Sequence, residues 1–424
     1  MATAVQGNPR EDDERVDRPL RAAEWRALTI LGLPTFALAL AITTVTTYLP
    51  VIASDFAAST VLIGVLIGGE GLLALGLPVV VGAWSDRLRT RIGGRLPFVL
   101  GATPPLVAAL VLVGLVTPIA TAALAVGAFF VAYYVAYEPY RALYPDMVDD
   151  EIAARAQSTQ ALFRGAATFL ALVGGGLLIT VAAPVPFVAA AVVAAVAMAG
   201  FAIALRRHGV PEQDYDDPKP PGATLRELRD AVAAEPALKA FLAANALWEL
   251  SLAALKTFVV LYITRGLGLS MQAASLAIGA GALVILAASP VSGKLADRVG
   301  RARVMRVALG VYGLGFLVPF LTTKPVVVAL AVPFIAFGGG VIMTLPYALL
   351  MPLMPEGRHG ALSGFYSLSR GIGTALGPLL AGVAIALARG PLQSSQGYAA
   401  VWAVCAVPTL ASIPLVRRLR DDVD

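Results

Sequence analysis

Ionisable side chains interrupt stretches of this sequence that are otherwise almost continuously apolar. Glu70 lies within "LIGGEGLL", Glu138 within "VAYEPYRAL" and Arg164 within "LFRGAATFL". A charge surrounded by hydrocarbon is costly unless water or a counter-ion reaches it, so such residues are usually functional. A carboxyl in apolar surroundings favours its neutral form and can therefore take up a proton and release it again. We predict proton transfer at Glu70 and Glu138, assisted by Arg164. The alternative for Glu70 is a neutral acid packed among its neighbouring glycines.

A second group of polar residues lies in "NALWELSLAALK", which runs from Asn245 to Lys256. Glu249 and Lys256 are seven residues apart and so share one face of a helix. Amide and aromatic side chains beside them are typical of a site for a polar solute. Alternatively, Trp248 packs on lipid or on a helix, and Lys256 extends towards the membrane surface. The predicted solute-binding residues are Asn245, Trp248, Glu249, Lys256, Tyr262, Arg370 and Tyr137.

The composition indicates that these residues lie in membrane-spanning helices. Hydrophobic residues make up 58% of the 424-residue chain and charged residues only 14%. Its mean hydropathy is +0.79. Apolar runs close to the roughly 20 residues that cross a bilayer recur along the chain. Continuous rather than alternating apolar runs predict helices and exclude a β-barrel. We predict an all-α polytopic membrane protein with twelve spans at 27–49, 60–85, 97–117, 119–143, 159–182, 185–205, 239–263, 271–292, 304–322, 325–351, 361–388 and 398–416.

The basic residues are sorted by loop. They gather in the N-terminal tail, after the second, sixth, eighth and twelfth spans, and hardly occur in the other loops, which hold only Arg265, Lys324 and Arg389. Because positive loops stay in the cytoplasm, we predict a cell-membrane protein with both termini cytoplasmic. The same sorting argues against nucleic acid as a partner of this chain of net charge +5.

The residues that carry most metal and covalent chemistry are scarce. The chain has one cysteine, Cys405, and two histidines, His208 and His359. We therefore expect no metal site, no cofactor and no enzymatic activity. It also lacks a phosphate-binding Gly-Lys-Ser/Thr loop, so ATP is not expected to drive it.

The chain divides into two similar halves. "RGAATFL" from Arg164 resembles "RGIGTAL" from Arg370, and "EPYRALYP" resembles "LPYALLMP" without its charges. We predict two pseudo-symmetric six-helix bundles that enclose a cavity near the membrane midplane. The predicted boundaries are 1–26 for the N-terminal tail, 27–207 for the first bundle, 208–238 for a cytoplasmic linker with a short surface helix, 239–416 for the second bundle and 417–424 for the C-terminal tail.

The loops that follow the second and eighth spans carry a family resemblance. "GAWSDRLRTRIGGR" (82–95) and "GKLADRVGRAR" (293–303) resemble the signature loop of the major facilitator superfamily, once in each half. "SDRLRTRIGGRLPF" with "PYRALYPDM" is further similar to the branch of plant sucrose transporters and glycoside–pentoside–hexuronide:cation symporters. The resemblance implies the major facilitator fold over all twelve helices.

The resemblance also implies a gate. Its loop charges would clamp helices across the cytoplasmic entrance whenever the protein opens outward. The residues concerned are Gly82, Asp86, Arg87, Arg95, Asp297, Arg298 and Arg301. The alternative is a set of solvated surface ion pairs, each contributing about 1 kcal/mol or less.

The sequence departs from that branch at the coupling ion. Where the sodium-coupled members place carboxylates, this chain has Ala74, Pro78 and Tyr137. The departure favours a proton over sodium. The sucrose transporters pair an acid of helix 4 with an arginine of helix 5, and Glu138 with Arg164 would be a shifted version. Protonation of the acid would release the arginine for sugar hydroxyls or an anionic substrate. Because Arg370 repeats Arg164, a purely structural ion pair is the alternative.

These features together predict a monomeric, proton-coupled symporter of a sugar or glycoside in the lipid bilayer, with the small-molecule solute and the proton as its partners. The alternatives are a proton-driven exporter of amphipathic small molecules and a membrane sensor that transports nothing.

Overall fold

The computed structural model describes residues 21–56, 59–92, 94–115, 119–148, 152–208, 235–353 and 359–419. These residues form long helices joined by short turns, as predicted. The long helices, labelled in chain order, are α1 Ala22–Asp55, α2 Thr60–Arg87, α3 Leu96–Leu115, α4 Ile119–Met147, α5 Ala153–Leu178, α6 Val185–His208, α7 Pro236–Leu261, α8 Met271–Val299, α9 Arg301–Gly315, α10 Pro325–Thr344, α11 His359–Ala388 and α12 Ala400–Ala411.

The helices are long and apolar enough to make this a multi-pass membrane protein. Within the described residues, eleven segments qualify as spans, one for each of α1 to α11. α9 reaches the necessary length together with the short helix Leu317–Leu321 that follows it. α12 is shorter, and a second short helix, Ile413–Val416, continues it after Ser412. The predicted all-α class is confirmed.

Two hydrophobic cores are present, one mainly in each half. One core joins α1 to α6 around Phe129, Phe130 and Phe187. The other joins α7 to α12 around Phe241 and Phe258, and it also includes Val51, Ala53 and Ile63 of α1 and α2. Residues 1–20, 209–234 and 420–424 lie outside the described part, and with them most of the predicted tails and of the predicted linker. The domain boundaries therefore remain predictions.

The same local contacts recur in both halves. Ser59 caps the start of α2 by accepting a hydrogen bond from Leu62 N (3.2 Å), and Ser270 caps α8 in the same way (3.2 Å to Ala273 N). Capping satisfies backbone N–H groups that a helix start leaves without partners. Arg95 donates to the carbonyl of Ala142. Arg301 donates in the same way to the carbonyl of Ala348, at 3.1 Å. Both arginines thus tie the loop after the second helix of a half to its fourth helix.

The two halves touch along three helix pairs, which are α2 with α11, α5 with α8, and α1 with α7. Near the start of α2, Thr60 Oγ1 donates to the carbonyl of Gly382 at 2.8 Å. At the end of α1, Asp55 forms an ion pair with Arg265, which follows α7. We call this side, which carries the α1–α2 and α7–α8 loops, the closed side.

Glycines allow α2 to lie directly on the backbone of α11. A Cβ at Gly71 would lie 2.2 Å from Ala375 N, and a Cβ at Gly68 would lie 2.6 Å from Ala375 O. Both distances are far shorter than any real contact, so only glycine fits. Small residues that let backbones approach are the usual basis of helix association in membranes.

The opposite side carries the basic α2–α3 and α8–α9 loops, and we call it the basic side. There a Cβ at Gly82 or at Gly293 would meet no described atom within 4 Å. Arg87, Asp297 and Arg298 are exposed. The side chain of Asp86, which the predicted clamp across this entrance requires, lies outside the described residues. Since the clamp is expected when this side closes, it stays a prediction.

The fourth helices of the two halves differ. α4 passes through Pro139 without interruption. Its counterpart α10 ends at Thr344, and a short helix resumes at Pro346. A proline inside a helix removes one backbone hydrogen bond and favours a break. Leu345 at the break replaces Glu138 of the first half.

Gly71→Ala is expected to weaken the closed side. The added methyl group collides with Ala375 N, and overpacking of this kind costs about 1–3 kcal/mol, or about a five- to hundredfold shift in equilibrium. A Ser275→Cys reporter beneath Gly176 on the closed side should then react several-fold faster with a membrane-impermeant maleimide. The native thiol, Cys405, is buried.

Gly69→Ala is the matched control, because a Cβ at Gly69 meets no described atom within 4 Å. If both variants labelled equally fast, the glycine contact would not hold the closed side shut.

Candidate functional site

One ion pair lies between the membrane-spanning parts of α7 and α11. Arg370 Nε donates to Glu249 Oε1 at 2.8 Å. The Arg370 side chain keeps 51% of its surface accessible and Glu249 keeps 19%. Glu70 and Tyr137 of the first half lie within electrostatic reach of Arg370, so the pair faces the other half of the chain. We call the accessible space beside the pair the crevice.

Glu70 faces this pair from the other half of the protein. Its neighbours Gly68 and Gly71 press on α11 at Ala375. The half-buried Glu70 lies within electrostatic reach of Lys256, Arg370 and Glu249. The predicted charges of the second and seventh helices are thus brought together, although they belong to different halves.

α4 adds a second acid and a base to the same place. Glu138 is half-buried and lies within electrostatic reach of Arg141 and Arg370. The phenol of Tyr137 also acts on Arg370. We call the six groups the central charged cluster, which consists of Glu70, Glu138, Arg141, Glu249, Lys256 and Arg370.

The predicted pairing of Glu138 with Arg164 is not found. Among the described residues no ion pair joins them, and the bases within reach of Glu138 are Arg141 and Arg370. Arg164 is exposed, and its charge acts on Tyr133 and Tyr140 instead. Equal depth in the membrane placed the two residues together in the sequence-based prediction. Depth alone does not fix the direction in which a side chain leaves its helix.

Three predicted solute-binding residues are packed inside the second bundle. Trp248 is 1% exposed and its indole Nε1 donates to Ser412 Oγ at 2.8 Å. Asn245 Nδ2 donates to Ser369 Oγ at 2.7 Å, and Tyr262 OH donates to the carbonyl of Pro319 at 3.1 Å. Each therefore joins helices, and in this conformation none lines the crevice. Of the predicted set, Glu249, Lys256, Arg370 and Tyr137 do lie together.

The aromatic side chains near Arg370 are tyrosines, and the predicted Trp248 and Tyr262 are not among them. Tyr366 lies beside Arg370, with its ring centre 5.9 Å from the guanidinium carbon. It meets Tyr347 edge-on at 6.1 Å. On the facing half, Tyr133 stacks on Tyr137 with ring centres 5.3 Å apart. The spacing of Tyr133, Tyr137 and Glu138 on α4 was the available signal.

A polar network that the sequence did not reveal holds the first bundle together. Tyr140 OH accepts from Gln160 Nε2 at 2.8 Å and lies 2.8 Å from Thr35 Oγ1. All three side chains are buried. They connect α1, α4 and α5, and the repeat of Tyr140 in the second half, Tyr347, is instead 49% exposed. The network therefore has a structural role in the first bundle only.

Sequence comparison matches residues 249–423 to the family model of the Major Facilitator Superfamily. An uncharacterized MFS-type transporter of Bacillus subtilis (strain 168), YwfA, is 32% identical over 130 residues, which are 30% of this chain and 29% of that protein. Multidrug resistance protein 3 of the same organism is 26% identical over 103 residues, 24% of this chain and 20% of that protein. The matched stretches thus span less than a third of either relative.

The comparison of structures covers nearly the whole chain. A bacterial homologue of the human lysosomal transporter Spinster, solved in an inward-facing, occupied conformation, has a TM-score of 0.76. It is 16% identical, and the match covers 95% of this chain and 98% of that one. The chain has the major facilitator fold. At this level of identity the likeness shows the fold alone, whereas the family match of the second half supports the superfamily itself.

Within the major facilitator fold, Trp248→Phe tests whether Trp248 packs or binds. Loss of the indole N–H leaves the buried Ser412 without its donor and should cost about 1 kcal/mol of stability. We expect a lower thermal unfolding midpoint and an unchanged half-saturating solute concentration in transport. A Tyr366→Phe variant measured in parallel should show the reverse. A weaker solute affinity in Trp248→Phe at unchanged stability would restore the predicted binding role.

Proposed function

We propose that the chain is a secondary active transporter of the major facilitator superfamily that works by alternating access. Two bundles related by a pseudo-twofold meet on one side and separate on the other, around charged groups that water must reach. The matched relatives include an MFS-type transporter and a multidrug resistance protein. Rocking of the bundles would expose the central charged cluster to each side in turn.

The observation that carries this proposal is the position of Glu70. The acid belongs to the first bundle, whereas the bases within its reach, Lys256 and Arg370, belong to the second. When the bundles rock, the distance between acid and bases changes, and with it the affinity of Glu70 for a proton. A site whose proton affinity depends on the conformation links proton movement to solute movement.

The sidedness follows from the loop charges. The basic side is the cytoplasmic side if positive loops remain inside. The closed side is then extracellular, and the crevice opens inward. Asp55 and Arg265 would form part of the extracellular gate.

The coupling ion proposed is the proton, because Ala74 and Pro78 stand where the sodium-coupled members of the resembled symporter branch have acids. The solute proposed is a small polar organic molecule, with a glycoside as the predicted class. The tyrosines around Arg370 are suited to such a molecule, because phenol rings offer both stacking surface and hydroxyl groups. The chain would function as a monomer in the cell membrane.

A proton-driven exporter of amphipathic compounds is the second candidate. The similarity to multidrug resistance protein 3 and the exposed ring of Tyr347 favour it. Uptake into proteoliposomes under an imposed pH gradient separates the two candidates. Accumulation of a sugar with the proton supports the symporter, whereas exchange of hydrophobic amines against protons supports the exporter. Absence of transport of any compound would support the sensor.

Glu70→Gln is expected to abolish accumulation driven by a pH gradient but to spare counterflow, because the amide imitates the protonated acid in both conformations. One pH unit corresponds to about 1.4 kcal/mol and supports about tenfold accumulation when one proton accompanies each solute. The variant should therefore equilibrate its solute without concentrating it.

Glu235→Gln is the matched control. This glutamate caps α7 at its exposed start, outside the membrane-spanning part. It should accumulate solute as the unmodified protein does. Tenfold accumulation by Glu70→Gln would remove Glu70 from the coupling mechanism.

A further inference from the structure

We infer that the solute carries an anionic group, a carboxylate or a phosphate, which binds the terminal nitrogens of Arg370. The inference rests on the proposed transport function and specifies the chemistry of what enters the crevice. Four observations support it: the geometry of the Arg370–Glu249 pair, the packing that fixes it, the excess of cations around it, and the rings beside it.

Glu249 accepts a hydrogen bond from only one of the three nitrogens of the Arg370 guanidinium, Nε. Within the described residues, Nη1 and Nη2 make no hydrogen bond, and half of the side chain remains accessible. A guanidinium presents its donors as a planar fork that matches the two oxygens of a carboxylate or phosphate. The unused edge of Arg370 is therefore a ready site for an oxyanion.

The position of Arg370 is fixed by close packing on both sides. A Cβ at Gly373 would lie 2.4 Å from Ala246 O, so α11 rests directly on α7. The hydrogen bond from Asn245 to Ser369 locks the same two helices one residue before Arg370. On the other side, Gly371 packs against Leu75 of α2. Because these neighbours hold its backbone, the guanidinium loses little freedom when it binds.

The cations around Arg370 outnumber their ion pairs. Lys256 and Arg141 are exposed, and among the described residues neither of them is within ion-pair distance of an acid. Against the three bases of the central charged cluster stand three acids, of which only Glu249 is paired among the described residues. Once Glu70 holds the proton that the transport proposal assigns to it, the cluster has one surplus positive charge. A site of this charge attracts an anion and repels a cation.

The surroundings of Arg370 also suit an organic anion. Tyr366 flanks the guanidinium and stacks on Phe241 behind it, with ring centres 6.4 Å apart. The body of an anion bound at the terminal nitrogens of Arg370 would lie near this ring. An anion with a flat or ring-shaped body would bury apolar surface there.

The test compares matched neutral and anionic probes on the purified full-length protein. Benzoate and glucuronate are paired with benzamide and glucose, and inorganic phosphate distinguishes a simple oxyanion from an organic one. The readout is the thermal unfolding midpoint at millimolar probe concentration, which rises when a ligand binds the folded state. We expect at least one anion to raise the midpoint and its neutral partner to leave it unchanged.

Variants test whether the stabilising anion binds at Arg370. Arg370→Gln should weaken binding of the stabilising anion by about 10- to 100-fold, as expected for loss of hydrogen bonds to a charged group. Arg370→Lys keeps the positive charge but loses the planar fork of donors. Its affinity for the anion should therefore lie between those of Arg370→Gln and the unmodified protein. Arg389→Gln removes an exposed arginine at the end of α11 and should bind normally. Because Arg370→Gln leaves Glu249 unpaired, the double variant with Glu249→Gln controls for misfolding through its midpoint without probe.

Three results would overturn the inference: no anion stabilises the protein, neutral probes stabilise it equally, or Arg370→Gln binds the anion as tightly as the unmodified protein. Proton-driven uptake of a neutral sugar with no effect of Arg370→Gln would refute the anionic solute while leaving the transporter intact. Anion binding at Arg370 without transport under any gradient would support the anion site and refute the proposed transport function.

Discussion

The contact between α2 and α11 is the constraint on which the other features of the site depend. Because Gly68 and Gly71 have no side chain, the backbones of two helices from different halves touch. The touching segments place Glu70 next to Gly71 on one side and Arg370 next to Gly371 on the other. A larger residue at either glycine would move the acid and the base apart. The electrostatics of the crevice thus follow from helix packing.

The charges of the central charged cluster are tolerated because each has an opposite charge within electrostatic reach. Arg370 and Glu249 partly neutralise one another and share a crevice with Glu70 and Lys256. A partly accessible ion pair contributes little net stability, since holding two ions together costs about as much as their attraction returns. Its retention agrees with the exchange of partners on which the proposed function depends.

The sequence was sufficient to predict the helices, because a helix that spans a membrane needs only length and continuous apolar composition. The division into halves and the role of Glu70 stay predictions. The sequence was not sufficient to predict partners. Glu138 and Arg164 lie at equal depth, yet they do not pair, since the direction of each side chain depends on the packing of its helix. Trp248 and Glu249 are adjacent in sequence but point about 100° apart, so one enters the core and the other the crevice. The repeat of Arg164 as Arg370 suggested a structural role for both, whereas among the described residues only Arg370 of the two forms an ion pair.

The interruption at Leu345 has a mechanical consequence. α4 and α10 occupy equivalent positions, but only α10 changes from one helical rod to two at Pro346. Helical hydrogen bonds still cross the interruption, from Leu345 N to the carbonyl of Val341 and from Leu349 N to the carbonyl of Leu345, both at 3.0 Å. We therefore expect α10 to bend at this point more easily than α4 without coming apart. Such bending would leave the buried network of Thr35, Tyr140 and Gln160 undisturbed, because that network lies in the first bundle.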